Sequence, residues 1–553
     1  MSDRQAPETP RIANFVSRRR AVLMLSSSAL LAACGGGGGG GSGGGGTPTP
    51  TPSTPTPSPS TPTPTPGPVI GAAWFSYGHD AQHTAVSANT SQDLGRIAWQ
   101  TPVDLAPQYT TYGALLTHYG SPVVTTRNTV VIPVKTGANG GYRVEGRNGA
   151  TGALIWSATN SYTPPPHNWL PPYNVLLTAD GKLYMPDVGG KLAVRGDADA
   201  ATGTIQTIAF YGDAAYAANP SGFDNNVFIC TPLTADANGN IFFGFQVASG
   251  TSPSGLVSGI ARVSASGVGS WVGASTAAGD AGIRKPAMNC APAISNDGTT
   301  VYIAVNTEVI TGVTQRGYLL ALDSTTLATK AKVALNDPST GTSARISDDG
   351  TAAPVVGTDG RVFYGVLEPT FGTHNGRGWL LQFDASLNPI GVPGSFGWDV
   401  SPSVIPASMV PSYAGSSTYL LAVKYNNYAG AGTGDGLNRL AILDPRASQA
   451  DPIIPSVSVM KEVFTILGPT PDGTSGIGRR EWCINTMAAD PARKSILANN
   501  EDGIVYRWDL TNNTLSQSIR ITAGLGQAYT PTLIGADGAV YAISNAILFS
   551  IRA

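Results

Sequence analysis

The sequence predicts an all-β protein, an eight-bladed β-propeller whose N-terminal strand closes the last blade. Three observations carry that prediction. One hairpin pattern recurs eight times along the 553 residues. Charged residues make up only 12% of the chain, while Gly (68) and Pro (42) approach one residue in five, a composition of short strands and many turns. An early strand-like stretch, Leu94–Gln100, has no copy of its own and is free to complete a ring.

Residues 1–33 read as an export signal. Arg18, Arg19 and Arg20 precede an apolar run of about thirteen residues, too short to span a bilayer and right for a signal h-region. The run ends Leu31-Ala32-Ala33-Cys34, which resembles a bacterial lipobox. That resemblance implies acylation of Cys34, and Gly35 in place of Asp implies retention at the outer membrane, facing either the periplasm or the cell surface. Ser17-Arg18-Arg19-Arg20-Ala21-Val22-Leu23 also resembles a twin-arginine signal, although Ala21 stands where Phe is usual, so general and folded-state export both stay open. Residues 34–68 form the tether, first Gly-rich and then a Thr-Pro/Ser-Pro tract. The second tract favours polyproline II, and twenty-odd residues of it reach roughly 60–70 Å. Neither tract can bury enough apolar surface to fold.

Residues 69–553 are expected to be a single propeller domain. Its recurrent hairpin is a small residue, often followed by proline, a short apolar run, an Asn/Asp/Gly turn and an alternating apolar strand. Copies start at Ser121, Tyr173, Thr231, Ala291, Ala353, Ser401, Asn485 and Thr530, roughly 45–85 residues apart. Asp-Gly or Asn-Gly supplies the positive-φ residue of each tight turn. A second apolar pair usually follows, as in GYLLALDSTTLATKAKVAL and GIVYRWDLTNNTLSQSIRI. Four strands at this period describe a propeller blade, which buries both faces only by packing against its neighbours. The chain ends AILFSIRA, one strand short of a full blade, so Leu94–Gln100 is expected to supply the outer strand.

Trp74-Phe75-Ser76-Tyr77-Gly78-His79-Asp80-Ala81-Gln82-His83-Thr84 resembles the opening of PQQ-like repeat proteins. Asn148-Gly149-Ala150-Thr151-Gly152-Ala153-Leu154-Ile155-Trp156 resembles their blade motif of polar turn, Thr-Gly and closing Trp. The resemblance covers most of residues 72–553, but only the first blade carries the motif well; later blades keep remnants such as Ala321-Leu322-Asp323. The group includes quinoprotein alcohol dehydrogenases and the lipoprotein scaffold of the outer-membrane barrel-assembly machine. One fold thus hosts an enzyme and an interaction module, and fold alone does not choose.

Segments leading into the inner strands should gather at one mouth of the central channel, where polar and aromatic side chains make the default binding site. The candidates there are His118, His167, Trp169, Asp224, Arg284, Lys285, Asp348, Asp349, Trp398, Asp399, Arg479, Arg480, Glu481 and Trp482. Each is equally a residue type that caps strand ends. A PQQ and calcium site would need basic donors, an aromatic floor and oxygen ligands. Those types are present, but no spacing matches, and the vicinal cysteine pair common in quinoprotein alcohol dehydrogenases is missing. No metal site is expected: His79 and His83 are four apart without helical patterning, and a structural role suits them better. Cys230 and Cys290 hold equivalent positions in adjacent blades and read either as a disulfide or as two buried thiols near the axis.

Little clustered Lys/Arg and a formal net charge of −2 argue against a nucleic-acid partner. The first expectation is a lipid-anchored envelope scaffold that binds a protein or envelope partner without chemistry or cofactor. The alternatives are a PQQ- or metal-dependent oxidoreductase or a hydrolase at the mouth, and a carbohydrate-binding surface module.

Overall fold

Eight antiparallel sheets are arranged as the blades of a β-propeller. The computed structural model describes residues 68–110, 113–165, 171–248, 253–307, 315–348, 350–369, 377–396, 399–424, 434–472, 478–482, 486–524 and 531–553. By its contacts the chain divides after Gly67, and everything described belongs to the second unit. The proposed signal, Cys34 and the tether lie outside the described residues. Among the described residues no helix is long and apolar enough to cross a membrane.

Each blade is a meander running outward from a short inner strand. Blade 1 spans 123–160, blade 2 176–208, blade 3 227–273 and blade 4 283–334. Blades 5, 6 and 7 span 355–383, 403–467 and 488–520, and blade 8 combines 532–552 with the early strand Arg96–Pro102. All eight recurrent hairpins therefore form inner strand pairs. The copy at Ser401 has its longer turn, built on a 3-10 turn at Ala407–Met409. Middle strands such as Thr129–Lys135 and Tyr419–Lys424 are buried throughout, because each sheet is covered on both faces by neighbouring blades.

Blade 5 departs from four regular strands. Its outer strand is replaced by isolated bridges, Leu380 to Gly394 and Phe383 to Pro389. Pro389 and Pro393 lack the N–H groups that a continuous ladder requires.

Closure follows the expected route. Arg96–Pro102 pairs antiparallel with Ile547–Arg552, from Arg96–Arg552 to Pro102–Ile547, with a bulge between Ile97 and Trp99. The seam to blade 1 centres on one carbonyl: Gly149 O accepts from Trp99 Nε1 (2.8 Å), Arg552 (2.6 Å) and the Tyr541 hydroxyl (3.2 Å). Gly149 sits in the turn that the sequence marked as a blade motif. There Asn148 Oδ1 accepts from the Ala150 and Thr151 amides at 3.0 Å each, and Trp156 donates to Ala198 O of blade 2 at 2.8 Å. Asp323 repeats the turn in blade 4 by accepting from the Thr325 and Thr326 amides, with no tryptophan to dock.

The segment before the closing strand, residues 70–93, runs round the ring at the hairpin-turn ends of the inner strands. Inner-strand amides donate to it in six blades: Val124 to Trp74 O, Leu177 to Phe75 O and Ile294 to Ala81 O in blades 1, 2 and 4, then Val356 to Gln82 O, Val404 to Thr84 O and Ala489 to Ala85 O in blades 5, 6 and 7. Its tight path holds Gly78, His79, His83 and Ala85 at positive φ. Asp80 fixes the loop by accepting from the Thr84 amide (2.9 Å) and hydroxyl and from His79. His83 is fully buried and its Nδ1 donates to Pro354 O at 2.8 Å. Tyr77 packs on Ala291 and Ala353, and its hydroxyl meets Thr351 O (2.8 Å) and Ser401 Oγ (2.9 Å). The two histidines are thus built into the loop by hydrogen bonds.

Candidate functional site

The small residues that open the inner hairpins explain what the mouth can hold. Inner strands converge on the axis, so Ser121, Thr231, Ala291, Ala353 and Ser401 are buried where larger side chains would collide. The residues just ahead of them carry the chemistry.

In blades 4 and 5 the centre is Asp348. Its Oδ2 accepts from Lys285 Nζ (2.5 Å) and Gln315 Nε2 (2.8 Å), and its Oδ1 from the Met288 amide (2.9 Å) and Asn306 Nδ2 (3.0 Å). Lys285 and Asp348 are both buried. Asn289, in a left-handed conformation, donates to Gly350 O at 3.0 Å. These bonds tie blade 4 to the segment leading into blade 5.

Asp399 does the same for blade 6. Its Oδ1 accepts from Thr351 N (2.8 Å) and Oγ1 (3.1 Å), while Oδ2 has no partner among the described residues. The residue is fully buried at φ 60°, and burial lifts its carboxyl well above the ordinary carboxylate range. The Lys424 charge opposes that shift and the Glu481 charge adds to it. Lys424 and Glu481 form the next pair, 3.6 Å apart and both buried. Two ammonium groups therefore face two carboxylates, and burial disfavours the charged form of the third carboxyl. Beside Asp399, with Arg345 and Tyr364 in its wall, is a void of about 10 Å³, room for about one water.

The remaining expected residues separate from this group. Trp482 is fully buried, edge-on to Tyr506 (5.7 Å) within the core of blades 6 and 7, and presents no open face. Arg479 and Arg480 are half-buried, with their carbonyls accepting from Asn438 and Asn500. Arg284 is exposed on the strand Ile283–Pro286. His118 is buried ahead of blade 1, next to Tyr119, whose hydroxyl donates to Asp104 in a buried pair with Lys135. Asp224 ends a short helix, Pro220–Asp224, and accepts from Tyr216. His167, Trp169, Asp349 and Trp398 lie outside the described residues.

Cys230 and Cys290 are separate, buried thiols, not a disulfide. Burial pushes both up to about 12. The Cys290 sulfur accepts from the Ala304 amide at 3.4 Å, which commits it to its own blade.

The described mouth residues do not fit PQQ and calcium. Lys285 is engaged by Asp348, the Trp482 ring is enclosed by side chains, and no three His, Cys, Asp or Glu among the described residues gather as a metal site. The sequence pointed to Lys285, Asp348, Asp399 and Glu481 but not to Lys424, Asn306 and Gln315. Lys424 is a lone lysine at the end of an apolar strand, a pattern that signals a buried, paired charge.

No protein-family model matches the chain, and no curated protein does. Among solved structures, a europium-containing methanol dehydrogenase aligns with a TM-score of 0.52 at 12% identity, over 85% of this chain and 89% of that one. The quinohemoprotein alcohol dehydrogenase of Comamonas testosteroni aligns with a TM-score of 0.48 at 13% identity, over 85% and 76%. BamB from Moraxella catarrhalis aligns with a TM-score of 0.32 at 11% identity, over 85% and 97%. Likeness at these identities concerns the fold.

Proposed function

We propose that the chain is an exported, lipid-anchored propeller that holds a protein or cell-envelope partner on its mouth face and performs no chemistry there. One observation supports this most: the buried charges of the mouth are spent on each other across blade boundaries. Lys285 with Asp348 and Lys424 with Glu481 make a stiff, electrically balanced centre. Substrate activation needs polar groups left poised for a reacting atom. A platform needs them satisfied. The rim keeps exposed Arg284 and half-buried Arg479 and Arg480 for contact. Cys34 would carry the anchor at the outer membrane, with the Thr-Pro tract as spacer.

Immobilised residues 69–553 should retain a specific component from a bacterial envelope extract. Charge reversal at Arg284 and Arg479 should reduce that retention. Labelling with a radioactive fatty acid should mark the full chain and not the Cys34→Ala variant. Dye-linked alcohol oxidation after incubation with PQQ and calcium would overturn the reading.

A further inference from the structure

The face opposite the mouth, where the inner hairpins turn, contains a cavity of about 610 Å³ between blades 2, 3 and 4. Its origin is the path of residues 70–93. The same inner-strand position donates its N–H to that segment in six blades: Val124, Leu177, Ile294, Val356, Val404 and Ala489. Ladder pairing identifies the equivalent residue of blade 3. Ala235 faces Ile241 as Ile294 faces Val301 and Leu177 faces Leu183. No such bond joins Ala235 to residues 70–93, because the segment folds into its Ser76–Thr84 loop at this point and passes blade 3 by. The equivalent Ile534 of blade 8 makes no such bond either, but in blade 3 the cavity lies against the open edge, with Ala235 in its wall.

The rest of the lining has a consistent character. Phe75, Leu176 and Leu177 provide an apolar floor. Asp80, Asp236, Asp297 and Asp323 stand round it, and no Lys, Arg or His lines it. Two of the carboxyls are held low: Asp297 is lowered to about 2 and Asp323 is also lowered, chiefly by hydrogen bonds from neighbouring Ser and Thr groups. Lys330 and Arg262 do not line the cavity themselves, but they donate from behind to its wall residues Thr299 and Asn240. An open strand edge recognises a peptide backbone, and a ring of carboxylates selects what that peptide carries.

We infer that this cavity binds a short extended peptide segment bearing lysine or arginine. One carbonyl of that segment accepts from Ala235 N–H, as residues 70–93 do in six other blades, and its cationic side chain lies among Asp236, Asp297 and Asp323. The volume suits a few residues. The chain's own tether is a poor occupant, because residues 35–67 contain no Lys or Arg. The partner is therefore a basic segment of another protein. This site is independent of the mouth, so its failure leaves the envelope retention experiment unaffected.

The test is calorimetric titration of residues 69–553 with the peptide acetyl-Gly-Lys-Gly-Lys-Gly-amide. Its glutamate counterpart and spermidine, a polycation without carbonyls, serve as comparisons. The lysine peptide should bind, the glutamate peptide should not, and spermidine should bind more weakly. The triple variant D236N/D297N/D323N keeps an acceptor oxygen at every turn, and its fold is checked by its melting curve. It should lose about tenfold or more in affinity. Hydrogen exchange over 233–241 should slow in the wild-type protein with the lysine peptide present. The inference is overturned by no binding of the lysine peptide, by equal affinity of the triple variant, or by spermidine matching the peptide without protection at 233–241.

Discussion

Asp399 joins two unfavourable conditions in one residue, a left-handed backbone and a fully buried carboxyl with one oxygen unpartnered among the described residues. Its raised folded-state pKa means that the native protein holds a proton which the unfolded chain releases above about pH 4. Its contribution to stability is therefore complete below that pH and falls as pH rises toward the folded-state value, by up to about 1.4 kcal/mol per pH unit. Asn tolerates the left-handed region better than other non-glycine residues and stays neutral. Asp399→Asn should thus melt above wild type at pH 8, and the gap should close toward pH 4, as scanning calorimetry at the two pH values would show. Asp348, by contrast, is surrounded by four donors. Asp348→Ala leaves the Lys285 ammonium buried alone and should cost about 3–5 kcal/mol. The double variant Lys285→Met/Asp348→Ala should recover part of that loss in a denaturant-unfolding cycle. Pairing of this kind was invisible in the sequence. Lys285 and Asp348 are 63 positions apart, and only the juxtaposition of two blades makes them partners.

At the scale of elements, residues 70–102 do two jobs with one stretch of chain. The first part binds inner-strand edges round the ring, and Arg96–Pro102 then covers the edge of Ile547–Arg552. An uncovered edge strand is a template for other chains. A chain beginning at Val103 should therefore elute as dimers and larger aggregates, and adding residues 68–102 as a separate peptide should restore a monomer on size-exclusion chromatography. The closing strand was legible because it was apolar, alternating and without a copy. The run of residues 70–93 was not, since its bonds are backbone bonds made at positions with no shared side-chain pattern. Blade 5 shows the reverse: the usual second apolar pair would make its outer strand, but Pro389 and Pro393 leave only isolated bridges there.

For the whole molecule, repetition determined the architecture. Eight hairpins, small residues before the inner strands and scarce charge follow from a ring in which every sheet is covered on both faces. These are local patterns repeated, and a linear sequence displays them openly. The expected export signal and tether rest on composition alone and lie outside the described residues. Only the tertiary structure decided which charges cancel at the mouth, that Cys230 and Cys290 remain thiols, and that blade 3 keeps an open edge beside an acidic cavity. The reason is distance along the chain. Strand patterns are set by neighbours two residues away, whereas a buried charge finds its partner, and a cavity its walls, among residues that meet only once the ring has closed.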